Sequence, residues 1–356
     1  MSTHSSSGRA WVEVDLDNLI GNARAVLDQT PGSRLLPMVK ADAYGVGAVM
    51  CARTLERVDP WGFGVATVPE GIQLRQAGIR RPILVFTPAQ PAQLGTYREH
   101  DLRAVLDRPE LISVWTLPFH LEIDTGMARC GVRWDDGAAL ARCASPQLEG
   151  VFTHLFAADV DPASVAPQWE RFTEARRRLG MSPRLVHVAN SAGAWRLRQE
   201  LALVRPGIYL YGGRMASDLP MPLPVATLRA PVVSLRRLTT GDSVSYGGDW
   251  RTSGPTTVAT LGVGYADGVP RAVQGRAHVL LGGRRYPLVG RVTMDFVMVD
   301  LGPAPSPVAV GDVATLIGRD GDETITVDEF AAWAGSISYE ILARLGARVE
   351  RRYAGG

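Results

Sequence analysis

The chain has 356 residues, with 38 basic and 36 acidic side chains and a formal net charge of +2. This near-balance gives no electrostatic footprint for nucleic acid, and no apolar run is long enough to span a membrane. The length allows a full core and suggests two domains, while Cys51, Cys130 and Cys143 form neither a metal-ligand spacing nor an even-numbered framework, so no metal and a reduced, cytoplasmic protein are expected.

The opening Met1 to Gly8 is polar, is expected to fray and lacks the apolar core of a signal peptide. Trp11 to Val14 reads as a strand ahead of the barrel units, and the sequence leaves open whether it packs with the barrel or with the later β domain. From about residue 34 to about residue 210, short apolar runs alternate with helical patterns such as Asp159 to Leu179. The strand-like runs are Leu35 to Lys40, Gly62 to Ala66, Pro82 to Phe86, Leu102 to Leu106, Phe119 to Ile123, Gly150 to His154, Arg184 to Val188 and Leu201 to Val204. Eight β-then-α units of this length predict an α/β fold, a closed (β/α)8 TIM-type barrel over residues 10–222. An open doubly wound sheet is the alternative, but no Gly-x-Gly-x-x-Gly follows the first strand.

After about residue 222 the texture changes. Ala230 to Leu235, Thr256 to Leu261, Ala277 to Leu281, Val292 to Val299 and Ala314 to Ile317 are β-rich, with Gly, Pro and Asp turns between them. Helical patterns return only at Val327 to Ala334 and Ser338 to Leu345. Residues 223–356 therefore read as a second, mainly β domain.

In a (β/α)8 barrel, reactive groups gather where the strands end. Lys40 and Tyr44 follow the first predicted strand. Glu122, Asp124, Thr125 and Arg129 lie around the end of the fifth, Thr153 and His154 end the sixth, Asn190 and Ser191 follow the seventh, and Arg205-Pro206-Gly207-Ile208 follows the eighth. A lone lysine there reads as the cap of a core strand, and Ser191 by itself as a helix N-cap. Polar groups at five of eight strand ends exceed what barrel packing requires. A desolvated lysine is a nucleophile toward carbonyl compounds; Asn190-Ser191 opens a helix and Gly207-Ile208 follows a proline that fixes the turn, places whose backbone amides and hydroxyls bind phosphate. Together they suggest pyridoxal 5'-phosphate held as a Schiff base.

The chain resembles the alanine racemase family of fold-type III pyridoxal-phosphate enzymes. The resemblance rests on Val39-Lys40-Ala41-Asp42-Ala43-Tyr44-Gly45, Asp124-Thr125-Gly126-Met127-Ala128-Arg129, Asn190-Ser191 and Arg205-Pro206-Gly207-Ile208-Tyr209. It continues through Ser245-Tyr246-Gly247, Gly264-Tyr265-Ala266-Asp267-Gly268 and Gly290-Arg291-Val292-Thr293-Met294-Asp295, in the family's order. It implies that Lys40 and Tyr265 are the two acid/base groups, on opposite faces of the cofactor, and that Tyr265 comes from the second subunit of a head-to-tail homodimer. Tyr44, Ser191, the backbone of Gly207 and Ile208, and Tyr339 would hold the phosphate, beside Asn190. Arg205 would sit at the pyridine nitrogen, oriented by His154. Arg129 and the backbone around Met294 would meet the substrate carboxylate.

Three departures stand out. Glu122 occupies a position where the family commonly has a lysine, carbamylated in many members, and is expected to pair directly with Arg129. Val46 stands where His is frequent, and Phe296 where Gln is frequent. The leading expectation is racemisation of a small amino acid, L-alanine to D-alanine. A relative working on another amino acid stays open, as does a non-catalytic cofactor-binding protein. A decarboxylase of the same plan is disfavoured by Arg205 and by the lack of a Gly-Gly-Gly run.

Overall fold

A computed structural model describes residues 8–356; the fraying expected at the N-terminus falls on residues 1–7, outside the described residues. Two sheets organise the chain. The first contains β2 (Arg34–Leu35), β3 (Phe63–Val65), β4 (Ile83–Val85), β5 (Arg103–Leu106), β6 (Phe119–Asp124), β8 (Leu148–Phe152), β9 (Leu185–His187) and β10 (Leu203–Val204), all parallel to their neighbours. A short extra strand, β7 (Val132–Arg133), pairs with β6. Backbone bonds carry the pairing across both seams: Val39 N–H donates to Gly64 and Gly64 N–H to Pro37 on one side, and Arg205 N–H to Ala189 on the other.

The first predicted strand is cut short at Pro37, which has no N–H for a ladder. Leu36 and Met38 on either side still bond to Val204 and Pro206. The barrel is filled by Leu36, Leu84, Val105, Phe152 and Leu203. Helices cover it outside. One is Leu16–Gln29, capped by Asp15, whose carboxylate accepts from Asn18 N–H at 2.8 Å. Another is Val165–Leu179, ended by Gly180 in the left-handed region.

The second sheet contains β1 (Trp11–Asp15), β11 (Ala226–Leu238), β14 (Thr256–Leu261), β15 (His278–Leu281), β16 (Arg284–Val289), β17 (Val297–Asp300), β18 (Val313–Asp320), β19 (Glu323–Ile325) and β20 (Glu350–Ala354). A separate ribbon joins β12 (Ser243–Val244) to β13 (Trp250–Arg251). Strand β1 lies between β11, antiparallel, and β20, parallel, so both ends of the chain complete this sheet. Strand β16 was missed in the sequence because Arg284, Arg285 and Pro287 dilute its pattern; the Gly282-Gly283 turn before it was the available hairpin signal. Residues 292–296, expected as strand, form instead the loop that carries Met294.

Candidate active site

Lys40 opens a one-turn left-handed segment. Ala41, Asp42, Ala43 and Tyr44 have φ of 52, 53, 52 and 55°. For residues with a Cβ this conformation costs about 1–2 kcal/mol each, so it persists only where neighbours hold it. Glu70 accepts the N–H of Ala41 at 2.7 Å, and its other oxygen accepts those of Ala66 and Thr67. Asp42 accepts from Ala48 N–H at 2.8 Å. The guanidinium of Arg351, on β20, donates to the carbonyl of Gly45. Burial lowers the pKa of Lys40, with Arg129 and Arg205 acting in the same direction and Glu70 against them.

A cavity of about 540 Å³ lies beside this turn. Lys40, Tyr44, Arg129, His154, Asn190 and Ser191 line it, together with Arg205, Gly207, Ile208 and Tyr339. At one end stand the phenols of Tyr44 and Tyr339 and the hydroxyl of Ser191. The Tyr44 ring stacks on Tyr211 with centroids 4.8 Å apart, and lies 6.1 Å from that of Tyr339. Burial pushes the Tyr44 phenol well above its ordinary pKa; Tyr339, 36% exposed, is shifted in the same direction by partial desolvation, so both stay protonated donors. Ser191 Oγ accepts from Gly207 N–H at 2.8 Å, which leaves its own proton free to point outward. Ile208 begins a short helix, whose first N–H groups lack partners within it. A Cβ at Gly207 would stand 2.2 Å from Tyr44 Oη, so glycine is what admits the phenol.

Arg205 forms the opposite end and is only 3% exposed. Its guanidinium donates to Thr153 O at 2.9 Å, to Val188 O, and to both the carbonyl and Nδ1 of His187. The Phe152 ring lies 5.2 Å from it. Among the described residues no carboxylate comes within 4.0 Å of it. Burial draws its pKa down to about 10, with Glu122 opposing, so it remains ionised at neutral pH.

Three expectations need correction. The side chain that holds Arg205 is His187, and no hydrogen bond joins His154 to that arginine. His154 lines the cavity, where burial, Arg205, Arg129 and Lys40 hold its pKa down to about 3 and its ring neutral. Glu122 and Arg129 do not form the direct pair either: no N···O distance between them falls within 4.0 Å. The buried Glu122 carboxyl is raised to about 7 by burial, against the opposing charges of Arg129 and Arg205. The turn after β9 is closed by Asn190, whose Oδ1 accepts from Gly193 N–H at 2.9 Å, while Ser191 braces Gly207 instead of capping.

Tyr265 and Met294 do not line the cavity; they share another place. Tyr265 N–H donates to Thr293 O at 3.0 Å and Ala266 N–H to Met294 O at 3.1 Å. Asp267, 1% exposed, locks this loop. Its carboxylate accepts from Gly264 N–H at 2.8 Å, Arg9 at 2.9 Å and Arg348 at 2.6 Å. Tyr265, Met294 and Phe296 are all exposed on this surface. Glu70, His187 and the bracing Asp267 are groups of this site that the sequence pattern does not single out. Thr67-Val68-Pro69-Glu70 was the legible signal for Glu70, a capping box. His187, polar inside an apolar strand run, was the signal for itself.

Comparison with known proteins places these features in a lineage. The family model for the alanine racemase N-terminal domain matches residues 14–215, and that for the alanine racemase C-terminal domain matches residues 225–353. The chain belongs to the alanine racemase family. Alanine racemase of Symbiobacterium thermophilum is 40% identical over 97% of both chains. That of Deinococcus radiodurans is 41% identical over 92% of this chain and 94% of its own. Among solved structures, alanine racemase from E. faecalis superposes with a TM-score of 0.91 at 31% identity, covering 99% of this chain and 100% of that one. The Bacillus anthracis alanine racemase with bound L-Ala-P gives 0.90 at 34%, covering 98% and 95%.

Proposed function

We propose that this member of the alanine racemase family is a pyridoxal-phosphate-dependent amino-acid racemase that interconverts L- and D-alanine. The observation that carries the reading is the cavity, with a pKa-lowered lysine at its wall, phenol, hydroxyl and backbone donors at one end and an ionised, carboxylate-free arginine at the other. The donor set fits pyridoxal 5'-phosphate: Tyr44, Tyr339, Ser191 and the N–H of Ile208 suit a phosphate, with Gly207, whose own N–H is held by Ser191, giving the close approach, and Lys40 suits an aldehyde. When bound, the cofactor supplies an electron sink that acidifies the α-proton of the amino acid.

The residues divide the remaining work. Lys40 takes or returns the α-proton on one face. Tyr265 of a second copy of the chain does so on the other, which supports a head-to-tail homodimer, because within one chain Tyr265 stands 43% exposed and away from the cavity. Met294 travels with Tyr265, and its backbone joins Arg129 at the substrate carboxylate. Arg205 keeps its proton at neutral pH and so cannot protonate a ring nitrogen beside it. His154 stays neutral against three neighbouring cations. The free thiols of Cys51, Cys130 and Cys143 support a cytoplasmic setting; no helix among the described residues is long and apolar enough to cross a membrane.

The test is incubation of the purified protein with pyridoxal phosphate and L-alanine in deuterated water. The expected result is deuterium at Cα together with D-alanine. Retention of cofactor on Lys40 without exchange would reject alanine as substrate and call for a panel of other amino acids and a carbon dioxide assay.

A further inference from the structure

Arg205 is a buried cation with no carboxylate in contact, and the groups behind it run down through the barrel. Its Nη1 lies 3.0 Å from His187 Nδ1. His187 Nε2 lies 2.7 Å from His120 Nδ1. His120 Nε2, buried and without a hydrogen-bond partner, lies 3.7 Å from Glu149 Oε2. Arg103 holds that same carboxylate oxygen at 3.1 Å. His120 is the second residue of β6 and Glu149 the second of β8, so the chain of groups ends at the barrel mouth opposite the cavity.

The proton positions follow from elementary valence. An arginine only donates, so His187 Nδ1 must accept and its ring proton must sit on Nε2. That proton points at His120 Nδ1, which must also accept, and the His120 proton therefore sits on Nε2, facing Glu149. Adding a proton to either ring would set two N–H groups against each other. Both rings are locked neutral in one tautomer. Burial, with Arg205 and His120 reinforcing it at His187, lowers both pKa values, in agreement with this.

We propose that Glu149, His120 and His187 form a one-way relay through the barrel interior that positions Arg205. His120 and Glu149 are positioning residues that act through His187. The placement of Arg205 at the cofactor ring rests on the racemase reading; the tautomer lock does not. Gly150 is part of the device. A Cβ there would stand 2.5 Å from His120 Nδ1, and the glycine backbone is not in the left-handed region, so Gly150→Ala pushes on His120 without removing a titratable group.

Two-bond ¹H–¹⁵N spectra of the full-length protein test the relay; the chain has 6 histidines. His187 and His120 should each show a neutral ring protonated at Nε2 between about pH 5 and pH 8. An imidazolium or an Nδ1 proton on either would overturn the proposal. Glu149→Gln, at a side chain 31% exposed, should shift the His187 ring nitrogens although Glu149 does not touch them, and Gly150→Ala should do the same. Both variants should weaken pyridoxal phosphate binding several-fold by absorbance titration, with an unchanged far-ultraviolet circular dichroism spectrum. Unmoved His187 signals, or shifted signals with cofactor affinity intact, would reject the relay to Arg205. If the parent protein binds no cofactor, the racemase reading fails, while the tautomer spectra still judge the lock.

Discussion

Glu70 accepts the backbone N–H of Ala41, one residue beyond Lys40, at 2.7 Å. The same carboxylate closes a capping box with Thr67 at the start of the helix Val68–Gln76. One side chain thus ties the left-handed turn that presents Lys40 to a regular helix behind it.

Removing that tie should be costly. Glu70→Ala deletes three hydrogen bonds to a charged acceptor and releases a strained turn. A loss of about 2–3 kcal/mol is expected, read as a lower urea midpoint, with faster dissociation of pyridoxal phosphate. An unchanged midpoint would show that Asp42 and Arg351 hold the turn without it.

Gly207 tests the phosphate end. Alanine there would force Tyr44 Oη away from its place. Overpacking of this kind costs about 1–3 kcal/mol, so Gly207→Ala should weaken cofactor binding about tenfold or more. Equilibrium absorbance titration measures this directly, and undiminished affinity would remove Tyr44 from the phosphate site.

The loop of Tyr265 permits a separation of roles. Tyr265→Phe should lower the racemisation rate roughly a hundred- to ten-thousand-fold, with cofactor affinity unchanged. Asp267→Asn should also lower the rate, and in addition destabilise the fold by about 2–4 kcal/mol, because it breaks a buried carboxylate's pairs with Arg9 and Arg348. A Tyr265→Phe enzyme with full activity would contradict the two-face mechanism.

Glu122 predicts a pH dependence. Its carboxyl is raised from 4.5 to about 7 by burial, with Arg129 and Arg205 opposing. A raised folded value means that the unfolded chain ionises first as pH rises. The stability linked to the protonated carboxyl is complete below pH 4.5, declines between 4.5 and about 7, and is gone above. Glu122→Gln should therefore match the parent protein in acid and exceed it by about 3 kcal/mol above neutrality, without added cofactor. Denaturant melts at several pH values check this; parallel curves would mean that Glu122 ionises freely in the fold.

The eight barrel strands were legible because each is a short apolar run bounded by turn residues, a pattern local to the chain. Lys40, Tyr44 and Arg205 were legible for a related reason: each follows such a strand directly, and the cavity forms where strands end. Strand β16 was hidden by its own arginines and proline. His187 was passed over in favour of His154, which stands at the end of its strand while His187 stands within one.

The sequence alone determined the sites that a strand and its following turn can present, because backbone geometry there is set by near neighbours such as Pro206-Gly207. Only the tertiary structure decided which histidine faces Arg205, since that depends on the stagger of β9 against β10 in the curled sheet. It also decided that Trp11–Asp15 completes the second sheet between β11 and β20, and that Tyr265 and Met294 share one braced loop away from Lys40. The pairings of Trp11–Asp15 join residues hundreds of positions apart, and His187 and Arg205, on neighbouring strands, meet through sheet register, which no local pattern encodes.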